Sequence, residues 1–269
     1  MDQSVLQQYE ERPRNWIVKL CMGLAVAGLF AWSGSAVKFD NVKQNGLEVA
    51  RRILLGILHP DTGLLFSITA QGVPYLLLET VCIAFLGTIV GAILAIPFSF
   101  LSAANIVVKP VAVAGRLVIM AVRTIPSFVY GLMFIWVTGP GPFAGLLTMS
   151  VCSIGMLSKM YIEAIEDLDA GILESLDAAG CTTFQKIRYG IVPQLIPNFL
   201  STVIYRFDMN LRDAAVLGLV GAGGIGAPLI FAMSSYRWNE VGSILTGLVV
   251  LVLLIEFFST RIRTKLTRG

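Results

Sequence analysis

Charge is scarce in this chain. Only 14% of its 269 residues are Asp, Glu, Lys or Arg, against roughly 25% in an ordinary soluble domain. Such a composition argues against a disordered or collagen-like chain, and a net charge of only +3 points to no polyanion, so no nucleic acid is expected as a partner. Histidine occurs once, as His59, and the four cysteines (Cys21, Cys82, Cys152 and Cys181) share no metal-like spacing. That leaves little with which to build a zinc or haem site, so no metal is expected, and the cysteines read as small hydrophobes. A nucleophile–base pair and a phosphate loop ending in Lys-Ser/Thr are missing too, so catalytic residues are expected to be none.

Apolar residues, by contrast, make up 56% of the chain. They come in blocks of about twenty, the length of helix that crosses a bilayer core. The expectation is an all-α membrane protein with six transmembrane helices, at about 16–37, 74–101, 111–138, 143–161, 197–219 and 241–258. The first block exceeds the apolar stretch of a signal peptide and is read as a retained helix. Residues 46–58 place Leu47, Ala50, Ile53, Leu54 and Ile57 on one face and are too short to span, so they are expected along the membrane surface. Three regions follow: 1–72, with the first helix and the surface segment; 73–260, the membrane core; and 261–269, a basic tail. With both termini cytoplasmic, the inner regions hold twelve Lys and Arg and the outer loops five, as the positive-inside rule requires. Trp16, Trp32, Trp136 and Trp238 fall at span ends, where an aromatic belt sits.

The longest polar insert, residues 162–197, lies on the inner side. It contains Glu174-Ser-Leu-Asp-Ala-Ala-Gly180, nine further residues, then Gly190-Ile191-Val192-Pro193. Leu176, Ala179, Phe184 and Ile187 can form an apolar stripe on a short helical pair that Gly180 allows to bend. Such an element can dock in a groove of a partner. Pro193 is placed to open the next helix, where its missing N–H costs nothing.

Glutamate six residues before a glycine, and proline thirteen after it, resembles the EAA loop of bacterial ABC importer permeases. The family's two alanines are Ser175 and Leu176 here, its isoleucine is Gly190 and its leucine is Val192. The segment Tyr205-Arg206-Phe207-Asp208-x-Asn210-x-Arg212, followed by Val220-Gly221-Ala222-Gly223-Gly224-Ile225-Gly226, resembles the phosphonate-type permeases. Residues 97–105 and 139–145 are similar to the same family, and methionine-type importers share the glycine stretch. The resemblance implies a type I importer permease fold in the bacterial inner membrane, acting as a homodimer. It implies two ABC ATPase subunits on the inner face and an extracytoplasmic phosphonate-type binding protein outside. No cofactor belongs to this chain on that reading, with ATP and Mg on the partner ATPase. Glu174, Ala179, Gly180, Phe184, Ile187 and Pro193 would carry the coupling. The rival readings are an importer permease for another small solute such as methionine, an ion-coupled secondary transporter, and an intramembrane enzyme. A secondary transporter predicts inverted repeats, and no convincing one is present.

Charged residues inside the spans are the other candidates. Arg206 lies roughly 14 Å into the fifth span at 1.5 Å per residue, near mid-membrane. A lone arginine there costs at least ~2.5 kcal/mol, so it should face protein or water. Arg123, Arg206, Asp208 and Arg212 could line a path for an anion, whose oxygens match a guanidinium fork. Equally, pairs 208/212 and 206/213 could only hold helices together. Glu79 and Glu256 read as interfacial. Gly221, Gly223, Gly224 and Gly226 are expected to pack backbone closely at an outer gate.

Overall fold

A computed structural model of the chain describes residues 16–36 and 46–268, all of its regular structure helical. The chain divides into two compact units, before and after Arg51. The first contains α1 (Trp16–Ala36), whose described side chains are all exposed, as suits a helix meant for lipid. Helix α2 (Gly46–Leu58) crosses the boundary and runs into the second unit. There Gly56 lies directly under Trp238, where a methyl group would come within 2.5 Å of the Trp238 backbone oxygen. Short α3 (Thr62–Phe66) follows, capped by Asp61, whose Oδ1 accepts the Gly63 and Leu64 amides at 2.8 and 3.3 Å.

The membrane core is built from α4 (Val73–Ser102), α5 (Lys109–Thr124), α6 (Ser127–Thr138), α7 (Pro142–Glu166), α10 (Val192–Gly218) and α12 (Trp238–Arg268). Helices α4, α5, α7 and α10 each begin with proline in the first turn, where no N–H is needed. The most extensive pairing is α4 on α7. Small residues permit it: Gly87 faces Met149, Gly91 faces Ser153, and Ala84, Ala92 and Ala95 are buried alongside. Lipid tails provide no hydrophobic drive between helices, so close backbone approach through small residues is what holds such a pair.

Among the described residues four helices are long and apolar enough to cross a membrane, namely α1, α4, α7 and α12, and α5 with α6 makes a fifth if the bent pair counts as one span. A continuous helix over 111–138 was the expectation. The chain instead turns by 83° between α5 and α6. Pro126 is the cause: it cannot complete the helical ladder and disfavours helical geometry at Ile125, which adopts φ −85° and ψ 123°. Helix α10 is 27 residues long but carries Arg206, Asp208, Arg212 and Asp213, so composition alone does not mark it. It starts at Val192, a turn and a half ahead of the expected 197, and runs through Pro197. Between α7 and α10 lie α8 (Ala170–Ala178), a single turn α9 (Thr183–Gln185) and a π-helical turn over Lys186–Ile191. Helix α11 (Gly226–Ser234) fills the segment between the glycine stretch and α12.

Candidate functional site

The polar insert over 162–197 is a stapled helical hairpin. Asp169 opens α8 by accepting the Gly171 amide at 2.9 Å. Gly180 closes it with φ +74°, its amide bonding to Asp177 O at 2.9 Å while the Cys181 amide reaches back to Leu176 O at 3.0 Å. That pair of bonds is a Schellman stop, and the left-handed residue in it favours glycine. Thr182 and Gln185 then form a reciprocal capping box that starts α9. An Asp177–Lys186 ion pair ties the two arms together.

The expected apolar stripe divides between two directions. Leu176 and Ile187 are half-buried: Leu176 lies on Gly190, and Ile187 packs on a core of Ala103, Ile165, Ile191 and Leu195. Ala179 and Phe184 are exposed, Phe184 at 68%. Glu174 is also exposed and makes no ion pair among the described residues. Pro193 lies in the first turn of α10, as expected of it. Sequence reading missed Tyr189, equally exposed at 68%, with the Arg188 guanidinium 5.7 Å from its ring centre. Two of the four departures from the family pattern meet in space: a Cβ at 190 would lie 2.3 Å from Leu176 Cδ1, so the larger residue at 176 goes with glycine at 190.

The three candidate arginines occupy three environments. Arg206 is 5% exposed, and its Nε donates to Ser153 Oγ at 3.3 Å while Nη1 contacts Met156 Sδ at 3.2 Å. One turn on, fully buried Asn210 donates to Thr88 Oγ1 and to Ser153 Oγ, both at 2.7 Å. Asn210, quoted above only as part of the motif, therefore joins α4, α7 and α10 at one point, and Thr88 did not stand out in the sequence. Arg212 is on the outside of α10, paired with Asp208 at 2.8 Å and with Glu256 of α12 at 3.4 Å. Glu256, read as interfacial, is thus a helix-to-helix partner. Arg123 is not brought to the others: its aliphatic stem runs along Gly155, and it lines a separate cleft between α5 and α7.

Gly223, Gly224 and Gly226 lie against neighbouring backbone and side chains. Gly221, Gly223 and Gly224 have φ of +96°, +82° and +73°. A methyl group on Gly223 would lie 2.7 Å from Pro142 Cα, one on Gly224 would lie 2.6 Å from Thr80 Oγ1, and one on Gly226 would lie 2.6 Å from Gly218 Cα. The loop is held from α4: Glu79 accepts the Gly224 amide at 3.2 Å and Thr80 Oγ1 accepts the Ile225 amide at 3.0 Å. From the turn before α7, the Gly141 amide reaches Gly221 O at 2.9 Å. Glu79 is therefore more than an interfacial acid, a role that no local pattern announces because its partner lies 145 residues away. No group of three His, Cys, Asp or Glu suited to a metal ion occurs among the described residues.

Comparison with known proteins accords with this arrangement. The family model described as binding-protein-dependent transport system inner membrane component matches residues 87–269. The putative phosphite transport system permease protein HtxC of Stutzerimonas stutzeri is 36% identical over 186 residues, which is 69% of this chain and 66% of the relative. The phosphite transport system permease protein PtxC of the same organism is 32% identical over 188 residues, 70% of this chain and 68% of the relative. The chain thus spans about two thirds of these curated relatives. Among solved structures, a chain of the MetNI methionine ABC transporter in an inward facing conformation superposes with a TM-score of 0.61. It shares 23% identity and covers 71% of this chain and 94% of that one, a likeness of fold.

Proposed function

Because the chain belongs to the family of binding-protein-dependent transport system inner membrane components, we propose that it is the permease of an ATP-driven importer for a phosphorus oxyanion of the phosphite and phosphonate class. Names of the phosphite permeases at 32–36% identity support the substrate class. In this reading α1, α4, the α5–α6 pair, α7, α10 and α12 are six spans with both termini in the cytoplasm. Two copies enclose the path, a binding protein delivers the anion from outside, and two ATPase subunits carry ATP and Mg. The chain itself supplies no catalytic group.

One observation carries the coupling role. The α8–α9 hairpin is tied across its arms by the Asp177–Lys186 pair, turns Ala179 and Phe184 outward, and is joined at its two ends to α7 and α10. A protein seated on Phe184 that rotates the hairpin would therefore lever both helices. Asn210, Ser153 and Thr88 would pass that movement to α4. Alternating exposure of the path then follows as rigid-body rocking of packed helices. Arg206, Asp208 and Arg212 serve in this scheme as internal ties.

Affinity purification of the detergent-solubilised protein, with Phe184→Asp and Gly180→Arg in parallel, tests the reading. An ATP-binding subunit should co-purify with the wild type and be lost from both variants. A wild-type chain that brings down no ATPase, yet alone moves phosphite down an ion gradient in liposomes, would overturn it.

A further inference from the structure

We propose that the cleft between α5 and α7 is an intermediate anion site on the translocation path, with Arg123 as its binding cation. The inference rests on the import function above and adds where the phosphorus oxyanion pauses. The cleft, about 270 Å³, is lined by Arg116, Arg123, Lys159, Glu163 and Glu166 over a floor that includes Ile119. Arg116 is paired with Glu166 and donates to Ser102 O at 3.1 Å. Lys159 is paired with Glu163 at 3.3 Å. Arg123 is exposed and has no hydrogen bond or ion pair among the described residues.

Depth makes this arginine unusual. Its stem lies along Gly155, where a methyl group would come within 2.8 Å of Arg123 Cγ. Gly155 lies six residues inside the expected inner end of this span at 161, or about 9 Å at 1.5 Å per residue. An exposed guanidinium at that level is expensive against hydrocarbon, so this face meets water or a ligand. A guanidinium offers a fork of donors that fits two oxygens of a phosphite or phosphonate. Three cations against two carboxylates leave one net positive charge in the cleft, enough to attract an anion and too little to trap it, as conduction demands. Glu166 adds a link to the inner loop, since it also accepts the Ala104 amide at 2.6 Å at the point where α7 gives way to the coupling segment. Movement of α8 would then disturb the Arg116–Glu166 pair and change the charge available to the anion.

The test uses the transporter as purified, in phosphatidylcholine nanodiscs, with phosphite as the probe and its ³¹P line width as the readout. Wild type should broaden the line, Arg123→Gln should weaken the apparent affinity about ten-fold or more, and Arg123→Lys should recover part of it. All three should melt at the same temperature. No broadening by wild type, or equal affinity in Arg123→Gln, would overturn the proposal. So would an Arg123 dependence seen only as retention of added phosphatidylglycerol, because the cleft would then hold a lipid. The two readings fail separately: ATPase co-purification without Arg123-dependent broadening keeps the importer and removes this site, whereas Arg123-dependent broadening without an ATPase keeps an anion site and removes the importer.

Discussion

Two arginines stand at the same level of α7 and on different sides of it. Arg206 reaches Ser153 and Met156 from α10 and is 5% exposed; Arg123 lies along Gly155 from α5 and is open to its surroundings. The first is enclosed by a hydroxyl, a thioether and an asparagine network, with the Asp213 charge two turns away to offset it. The second has only a cleft with one net positive charge. Identical chemistry is thus used once as a tie and once as an unsatisfied group, and the difference lies in the neighbouring helix. Where α4 and α10 both close on α7, small residues let the arginine be swallowed. Where α5 bends away at Pro126, Arg123 stays exposed among the described residues.

The contrast is sharpest in stability. Arg206→Ala removes the bond to Ser153 and empties a buried large side chain's space between packed helices, so it should cost about 3 kcal/mol. Arg123→Ala should stay within about 0.5 kcal/mol. Thermal unfolding of the two variants in detergent checks both, and equal losses would erase the distinction. Gly91→Val tests the enclosed side from α4: its side chain would strike Ser153 Cβ and the Ser150 carbonyl, and overpacking of this kind should cost about 2 kcal/mol. The same melting series should place it between the two arginine variants.

A third prediction moves to the inner hairpin, where Gly190→Ile restores the family residue but collides with Leu176. Alone it should destabilise by about 1.5 kcal/mol and reduce ATPase co-purification. Combined with Leu176→Ala it should recover most of that loss, a coupling a double-mutant cycle reads directly. Additive effects would mean that residues 176 and 190 are independent. The smallest effect belongs to the glycine loop. Glu79→Gln exchanges a charge-assisted bond to the Gly224 amide for a neutral one, worth about 1 kcal/mol. Faster hydrogen exchange at Gly224 with an unchanged global melt is the expected signature.

Much of the helical order was legible because apolar blocks of spanning length are a strong local signal. Spans near 74–101 and 143–161 reappear as α4 and α7, extended at one or both ends. The bend at Pro126 was equally local, but the surrounding run of apolar residues outweighed it in a reading by length. The hairpin was legible through Gly180, whose left-handed geometry is a residue-level requirement. What stayed hidden was long-range: Asn210 on Thr88 spans 122 residues, and Glu79 on Gly224 spans 145. No periodicity predicts such partners. Arg123, Arg206 and Arg212 looked alike in sequence for the same reason, since each one's cost depends on which helix faces it.

Thiol labelling tests the central claim, that one side of α7 is wet and the other dry. Cys152, half-buried next to Ser153 and near enough to Arg206 to feel its charge, is a native probe, and Met120→Cys places a second in the Arg123 cleft. The intact transporter is treated with a membrane-impermeant sulfonated thiol reagent and the modified sites are read by mass spectrometry. Modification at Met120→Cys, slowed by phosphite, with Cys152 untouched, is the predicted result. A modified Cys152, with an inert thiol at 120, would contradict the account.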